Sequence, residues 1–268
     1  MKILRCRTTD DTVELAALDD QGRAFAIEGD LFGEHRVSDR EVDIVTHLAP
    51  IEPRQILGIG LNYGRHADES GMPRPVHPVV FHKTLNSVVG PDAPIVLPIG
   101  APCDKPDYEC ELAVVIGRDC KDVPKERALD VVFGYTCAND VSARDWQLER
   151  GGGQWSHGKS FDSFCPLGPV LVTADEIPDP NDLTIRTLLN GDAVQDWRTN
   201  DMIFDVADLI AYLSAGATLL AGTVILTGTP HGVGMAADPP RWLRPGDEVT
   251  IEVEGIGRLT NRVEAEEA

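Results

Sequence analysis

The chain has 268 residues, 42% hydrophobic and 25% charged, a composition that excludes wholesale disorder. Acidic residues number 44 and basic residues 24, a net charge of −20. That balance excludes the basic footprint of a nucleic-acid binder and disfavours an anionic membrane surface. No run of 18 apolar residues is present, and Met1-Lys2-Ile3-Leu4-Arg5-Cys6 has no signal-peptide core, so a cytoplasmic protein without membrane association is expected. The six cysteines form no CxxC pair, which argues for reduced, mostly buried thiols.

In chain order, residues 1–52 read as a small β-rich unit. Val13–Leu18 and Arg23–Ile27 are a hairpin about the turn Asp19-Asp20-Gln21-Gly22. Fifty residues make a marginal core, so this unit should lean on the remainder, 53–268, beyond the linker marked by Pro50 and Pro53. Ile56–Gly60 is an apolar strand, followed by a short helical piece over Gly64–Ser70 and a proline-held loop before Val79-Val80-Phe81. Further strands are predicted at 109–117, 131–138, 167–172, 183–189, 223–227 and 248–253. The apolar spacing of Ile203, Val206, Leu209, Ile210 and Leu213 predicts a helix over 203–215. Residues 124–130 and 142–150 are shorter helix candidates, and 264–268 reads as a frayed tail. Strands outnumber helices with no sustained βαβ rhythm, so the fold class is mixed, β-rich α+β.

Gly58-Ile59-Gly60 looks like a dinucleotide fingerprint, but the next glycine, Gly64, is one position late and no long helix follows. Neither a P-loop nor a GxSxG elbow is present. The first chemical signal is Glu109 and Glu111, which point to one side of a strand that runs into an apolar core. Two carboxylates so placed need a cation, a shared proton or solvent. They fit a hard divalent ion, or else a solvated strand end. Asp140, closing the next apolar strand, could be a third ligand. Lys159, among glycines and aromatics, could meet an anionic substrate or lie on the surface, and Arg144 carries the same ambiguity. His66 and Glu69 share a helical face at i,i+3, where a carboxylate beside an imidazole makes a base able to take a proton from water. An exposed polar turn is the other reading. Lys83 follows an apolar strand and is a plausible inward cation. Thr229 sits in the Gly-rich loop Thr227–Gly234, which allows close backbone approach to a ligand.

Taken together, Gly60-Leu61-Asn62-Tyr63 with His66 and Glu69, Phe81-His82-Lys83, Tyr108–Leu112, Asn139–Asp145, Gly158–Asp162, Pro166–Pro169 and Leu226–Pro230 resemble the fumarylacetoacetate hydrolase superfamily over about residues 50–263. The likeness extends to its bacterial two-domain members and, through the run from Gln154-Trp155 to Pro169, to mammalian domain-containing proteins associated with oxaloacetate keto–enol tautomerisation. The resemblance implies a β-sandwich roll in a homodimer, with Mg²⁺ or Mn²⁺ held by Glu109, Glu111 and Asp140. It also implies Lys159 on the substrate carboxylate or enolate, a His66–Glu69 dyad on a lid helix, and Lys83, Arg144, Gln147 and Thr229 lining the pocket.

A small anionic 2-oxo acid is the expected substrate. The dyad favours hydrolysis of a C–C bond in a 2,4-dioxo acid (an acylpyruvate, a fumarylpyruvate or a diketo sugar acid) with release of pyruvate. Lys83 would be the oxyanion donor. The alternatives are keto–enol tautomerisation of oxaloacetate or a 2-hydroxymuconate-type acid, and 2-oxo acid decarboxylation.

Overall fold

A computed structural model describes residues 1–267. Its organising strand is Cys110–Ile116, where all seven residues are buried. Its continuous apolar run, Leu112–Ile116, reads as a central strand covered on both faces. It pairs antiparallel with Val132–Asn139 on one side and Thr223–Leu226 on the other. The sheet continues through Cys165–Thr173 in one direction and through Gln55–Gly60 and Val79–His82 in the other. A long-range parallel step joins Thr223–Leu226 to Gln55–Gly60, and a second, shorter one joins Val88–Val89 to Cys165–Thr173.

The amino-terminal strands do not stand apart. Lys2–Thr8 adds to Cys165–Thr173, with Ile3 opposite Leu171. The strands Val13–Leu18, Ala24–Gly29 and His35–Glu41 then extend the same sheet outward. A second sheet runs in the order Asp192–Arg198, Thr184–Leu189, Glu248–Val253, Gly257–Ala265 and Ile95–Leu97.

Alternation along Cys110–Ile116 sorts the core into two sides. Leu112, Val114 and Ile116 cluster with Ile185, Ile251 and Leu259 of the second sheet, whereas Ala113 and Val115 cluster with Ile56, Leu167 and Leu226. Glu109 and Glu111 share the parity of Ala113 and Val115. Asp140 shares the parity of Ala138, which stands opposite Glu111. The pleat therefore delivers three acids to one face at one end of the sheet.

Several local expectations need correction. The carboxy-terminal segment is not frayed at Glu264-Ala265, because both residues belong to a strand and pair with Val96 and Leu97. The helix expected over 203–215 is shorter, Val206–Ser214. Asp205 caps it by accepting from the Asp208 backbone N–H at 2.7 Å. Residues 142–150 divide into a two-residue strand, Ser142–Ala143, and a π-helical turn, Asp145–Arg150, while 125–131 is a 3₁₀ helix. Among the described residues no helix is long and apolar enough to cross a membrane. None of the cysteines is in a disulfide, and Cys6, Cys110, Cys137 and Cys165 are buried.

Candidate metal and catalytic site

The acids brought to the sheet end form one cluster. Glu109, Glu111 and Asp140 are buried, and each contributes an oxygen within 4.8 Å of the others. The Asp140 backbone N–H donates to the Glu109 carbonyl at 2.9 Å, which carries the strand pairing one step past its last ladder residues. Around the acids lie three buried cations. Lys159 Nζ donates to Glu109 Oε2 at 2.8 Å and to Asp140 Oδ2 at 2.6 Å. Lys83 Nζ donates to Asp140 Oδ1 at 2.6 Å and to the Val141 carbonyl at 3.3 Å. Arg144 Nη2 lies 2.7 Å from Glu109 Oε1.

These surroundings separate the acids electrostatically. Burial alone would raise the Glu109 carboxyl, but Lys159 and Arg144 outweigh it and hold the group below the ordinary range. Burial would likewise lower Lys159, and Asp140 with Glu109 raise it instead. Among the described residues Glu111 makes no ion pair, and the charge of Lys159 only partly offsets its surroundings. Its Oε2 accepts only the Gly228 backbone N–H, at 2.7 Å, and burial with the neighbouring Asp140 and Glu109 pushes its carboxyl well above normal. A buried carboxylate that is short of positive charge, in an all-oxygen triad, is what a hard divalent ion requires. The residues present fit Mg²⁺ or Mn²⁺.

The His66–Glu69 pair forms as expected. The helix Gly64–Glu69 brings His66 Nδ1 to 2.8 Å from Glu69 Oε1. The Gly232 backbone N–H, from the loop after Thr229, donates to both Glu69 oxygens at 3.1 and 3.0 Å. Gly232 has φ +95°, and a Cβ there would lie 2.3 Å from the Val194 carbonyl oxygen. Glycine is required for this backbone to reach the dyad. Holding Nδ1 on the carboxylate leaves Nε2 as the free ring nitrogen.

A cavity of about 50 Å³ reaches His66 of the pair and Glu109 of the triad. His66, Glu109, Arg144, Gln147, Lys159 and Thr229 all line it, so most of the expected site converges although it is spread over 164 positions, from 66 to 229. Glu69, Glu111, Asp140 and Lys83 do not line it. The Lys83 side chain is fully buried on Asp140.

Two residues that sequence reasoning did not single out complete the frame. Asp107 is wholly buried and accepts from Arg144 Nε at 2.9 Å and from the Gly234 and Met235 backbone N–H groups at 2.7 and 3.0 Å. Burial raises its carboxyl, and Arg144 opposes that. The available signal was alternation, since residues 107, 109 and 111 are all acidic. Gln195 donates to Thr229 Oγ1 at 2.8 Å and to the Pro230 carbonyl at 2.9 Å. It accepts from the Cys110 backbone N–H at 3.1 Å and from Thr187 Oγ1 at 2.7 Å. It thereby ties the strand that bears Glu109 and Glu111 to the Thr229 loop. A glutamine in a polar strand offered no sequence signal for that role.

Comparison with known proteins places this geometry. The family model for the fumarylacetoacetate hydrolase carboxy-terminal domain matches residues 55–264. The chain belongs to the fumarylacetoacetate hydrolase family. It is 48% identical over 220 residues to human "oxaloacetate tautomerase FAHD2A, mitochondrial", covering 82% of this chain and 69% of that protein. Among solved structures, a 5-carboxymethyl-2-hydroxymuconate delta-isomerase from Mycobacterium smegmatis is 41% identical with a TM-score of 0.87, covering 99% of this chain and all of that one. A fumarylacetoacetate hydrolase from Exiguobacterium antarcticum is 36% identical with the same TM-score, covering 99% and 100%.

Proposed function

We propose that the protein is a divalent-metal-dependent keto–enol tautomerase of small anionic 2-oxo acids, with oxaloacetate and 2-hydroxymuconate-type acids as the first substrates to test. The observation that carries this reading is one cavity lined both by a base, His66 held on Glu69, and by Glu109 of a buried acid triad fit for an ion. An ion held by Glu109, Glu111 and Asp140 would supply Lewis-acid polarisation of the 2-oxo group. The chain supplies the rest. Lys159 fixes the anionic head by charge, Arg144 and Gln147 frame it, and Thr229 offers a hydroxyl at the cavity wall. His66 Nε2 takes the proton from the carbon next to the keto group and returns it, while Glu69, held by Gly232, fixes the ring's tautomer. Proton shuttling needs no second nucleophile.

The names of the relatives favour tautomerisation or isomerisation over the hydrolysis expected from sequence, and so does the placement of Lys83. Hydrolysis of a 2,4-dioxo acid needs a donor for the oxyanion at the distal carbonyl. Lys83, the residue expected to serve, is spent on Asp140 outside the cavity. Hydrolysis remains the second reading because the dyad could equally activate water.

Decay of the oxaloacetate enol and release of pyruvate from an acylpyruvate, measured side by side, separate the two readings. Wild type should accelerate enol decay, and His66→Ala should lose at least about 100-fold of that rate, the scale of a positioned base. Pyruvate release by wild type without enol acceleration would hand the assignment to hydrolysis. An unchanged rate in His66→Ala would remove His66 from the mechanism.

A further inference from the structure

The helix that carries the base is too short to hold itself. Gly64–Glu69 is six residues long, and Tyr63 at its start offers no side-chain cap. A helix of this length is marginal without tertiary contacts. The 2.8 Å bond between His66 and Glu69 therefore depends on what grips the helix from outside.

The grip comes from the edge strand of the second sheet, Asp192–Arg198, and from the turn that follows it. Asp201 accepts the Arg65 backbone N–H at 3.1 Å and satisfies one of the helix's open donors. The Arg65 guanidinium carbon lies 3.8 Å from the centroid of the Trp197 ring, a direct stack. Arg65 is exposed, and among the described residues its side chain makes no ion pair, so the indole face is its partner. Trp197 also meets His231 edge to face, with centroids 4.9 Å apart at 81°.

His231 precedes Gly232, whose N–H holds both Glu69 oxygens. Gln195, which faces the same way as Trp197 on the strand, fixes Thr229 and Pro230 of that loop. The contacts close a ring. It runs from Arg65 to Trp197, from Trp197 to His231, through Gly232 to Glu69, and along the helix back to Arg65. Neither Trp197 nor Arg65 lines the cavity. Trp197 is half-buried and lies outside both apolar clusters of the core, so core packing does not account for it.

We infer that Trp197 is a positioning residue for the base. By holding Arg65 and His231 together it fixes the helix against the Gly232 loop, and so keeps the His66 ring in the tautomer that leaves Nε2 free. The inference rests on His66 as the base of the proposed proton transfer and adds the side chain that aligns it.

Nitrogen-15 NMR of histidine-labelled protein at alkaline pH, where imidazoles are neutral, reads the tautomer directly. The His66 signal is assigned by its absence from His66→Ala. Wild type should carry its ring proton on Nδ1. Trp197→Leu should mix in the Nε2–H tautomer. Its kcat for decay of the oxaloacetate enol should fall on the order of tenfold, between the effect of a lost cation–ring contact and that of a misplaced catalytic group. KM and Mn²⁺ affinity should stay within about twofold, because the acid triad stands on other strands. Trp197→Phe keeps a ring face for Arg65 and should recover most of both losses. Arg65→Ala, at an exposed position, should reproduce the Trp197→Leu pattern whether or not the leucine variant folds. An unchanged His66 tautomer in Arg65→Ala overturns the inference. So does a loss in Trp197→Phe equal to that in Trp197→Leu, or a parallel fall in Mn²⁺ affinity. Wild type with the Nδ1–H tautomer but no acceleration of enol decay overturns the proposed function alone, and the tautomer in Arg65→Ala then still decides the clamp.

Discussion

The amino-terminal strands and the cavity are built with the same kind of ion pair in opposite surroundings. On the outer strands, Arg36 meets Glu28 at 2.6 Å and Arg7 meets Asp11 at 2.7 Å, in both cases with well-exposed side chains. In the core behind the cavity, Lys83 and Lys159 meet Asp140 at 2.6 Å with essentially no exposure. Equal distances conceal unequal consequences. Water screens the first group, so each pair costs little to lose. The second group has been taken out of water, so removing one partner leaves a buried charge exposed to the full desolvation penalty. A chain gains little stability from concentrating seven charged side chains in its core, and the excess of acid among them fits the proposed divalent ion.

That contrast can be broken by single substitutions. Lys83→Met removes a partner from Asp140 without entering the cavity, and should lower unfolding free energy by about 3 kcal/mol in chemical denaturation. A loss no larger than that of a surface pair would mean that water reaches Asp140. At the other extreme, Arg36→Ala should leave the thermal midpoint within the scatter of measurement. Added salt should weaken even that small effect while leaving the Lys83→Met loss almost unchanged. An Arg36→Ala loss comparable to that of Lys83→Met would erase the distinction between the two regions.

The same contrast governs what the sequence revealed. Cys110–Ile116 was legible because burial on both faces demands a continuous apolar run, and Val132–Asn139 and Thr223–Leu226 follow the same rule. His35–Glu41 and Asp192–Arg198 were not predicted. They face water on most positions and carry no apolar period, and their pairing is set by neighbours distant in sequence. The acids of the site stood out because they interrupt apolar strands. Asp107 shares that alternation but lies just before the apolar run begins. Its purpose, holding Arg144 and the Gly234-Met235 turn, appears only when those segments meet. Gln195 and Gly232 act through a side-chain amide and a backbone N–H whose partners lie in other segments, so neither role has a local sequence signature. Gly58 and Gly60 were visible as a motif, but their use depends on Phe81 and on Trp155, the latter almost a hundred positions away.

The central claim is that the buried excess of carboxylate is a divalent-ion site. The direct measurement is calorimetric titration of metal-stripped protein with Mn²⁺, on wild type and on Glu111→Gln. Wild type should bind one ion per chain. The variant should lose affinity by more than about tenfold, the lower bound set by the loss of even an outer ligand partner. Its metal-free form should be no less stable than wild type, because burial, Asp140 and Glu109 all disfavour a charge at position 111. Absence of Mn²⁺ binding by wild type, or equal affinity in Glu111→Gln, would contradict the account.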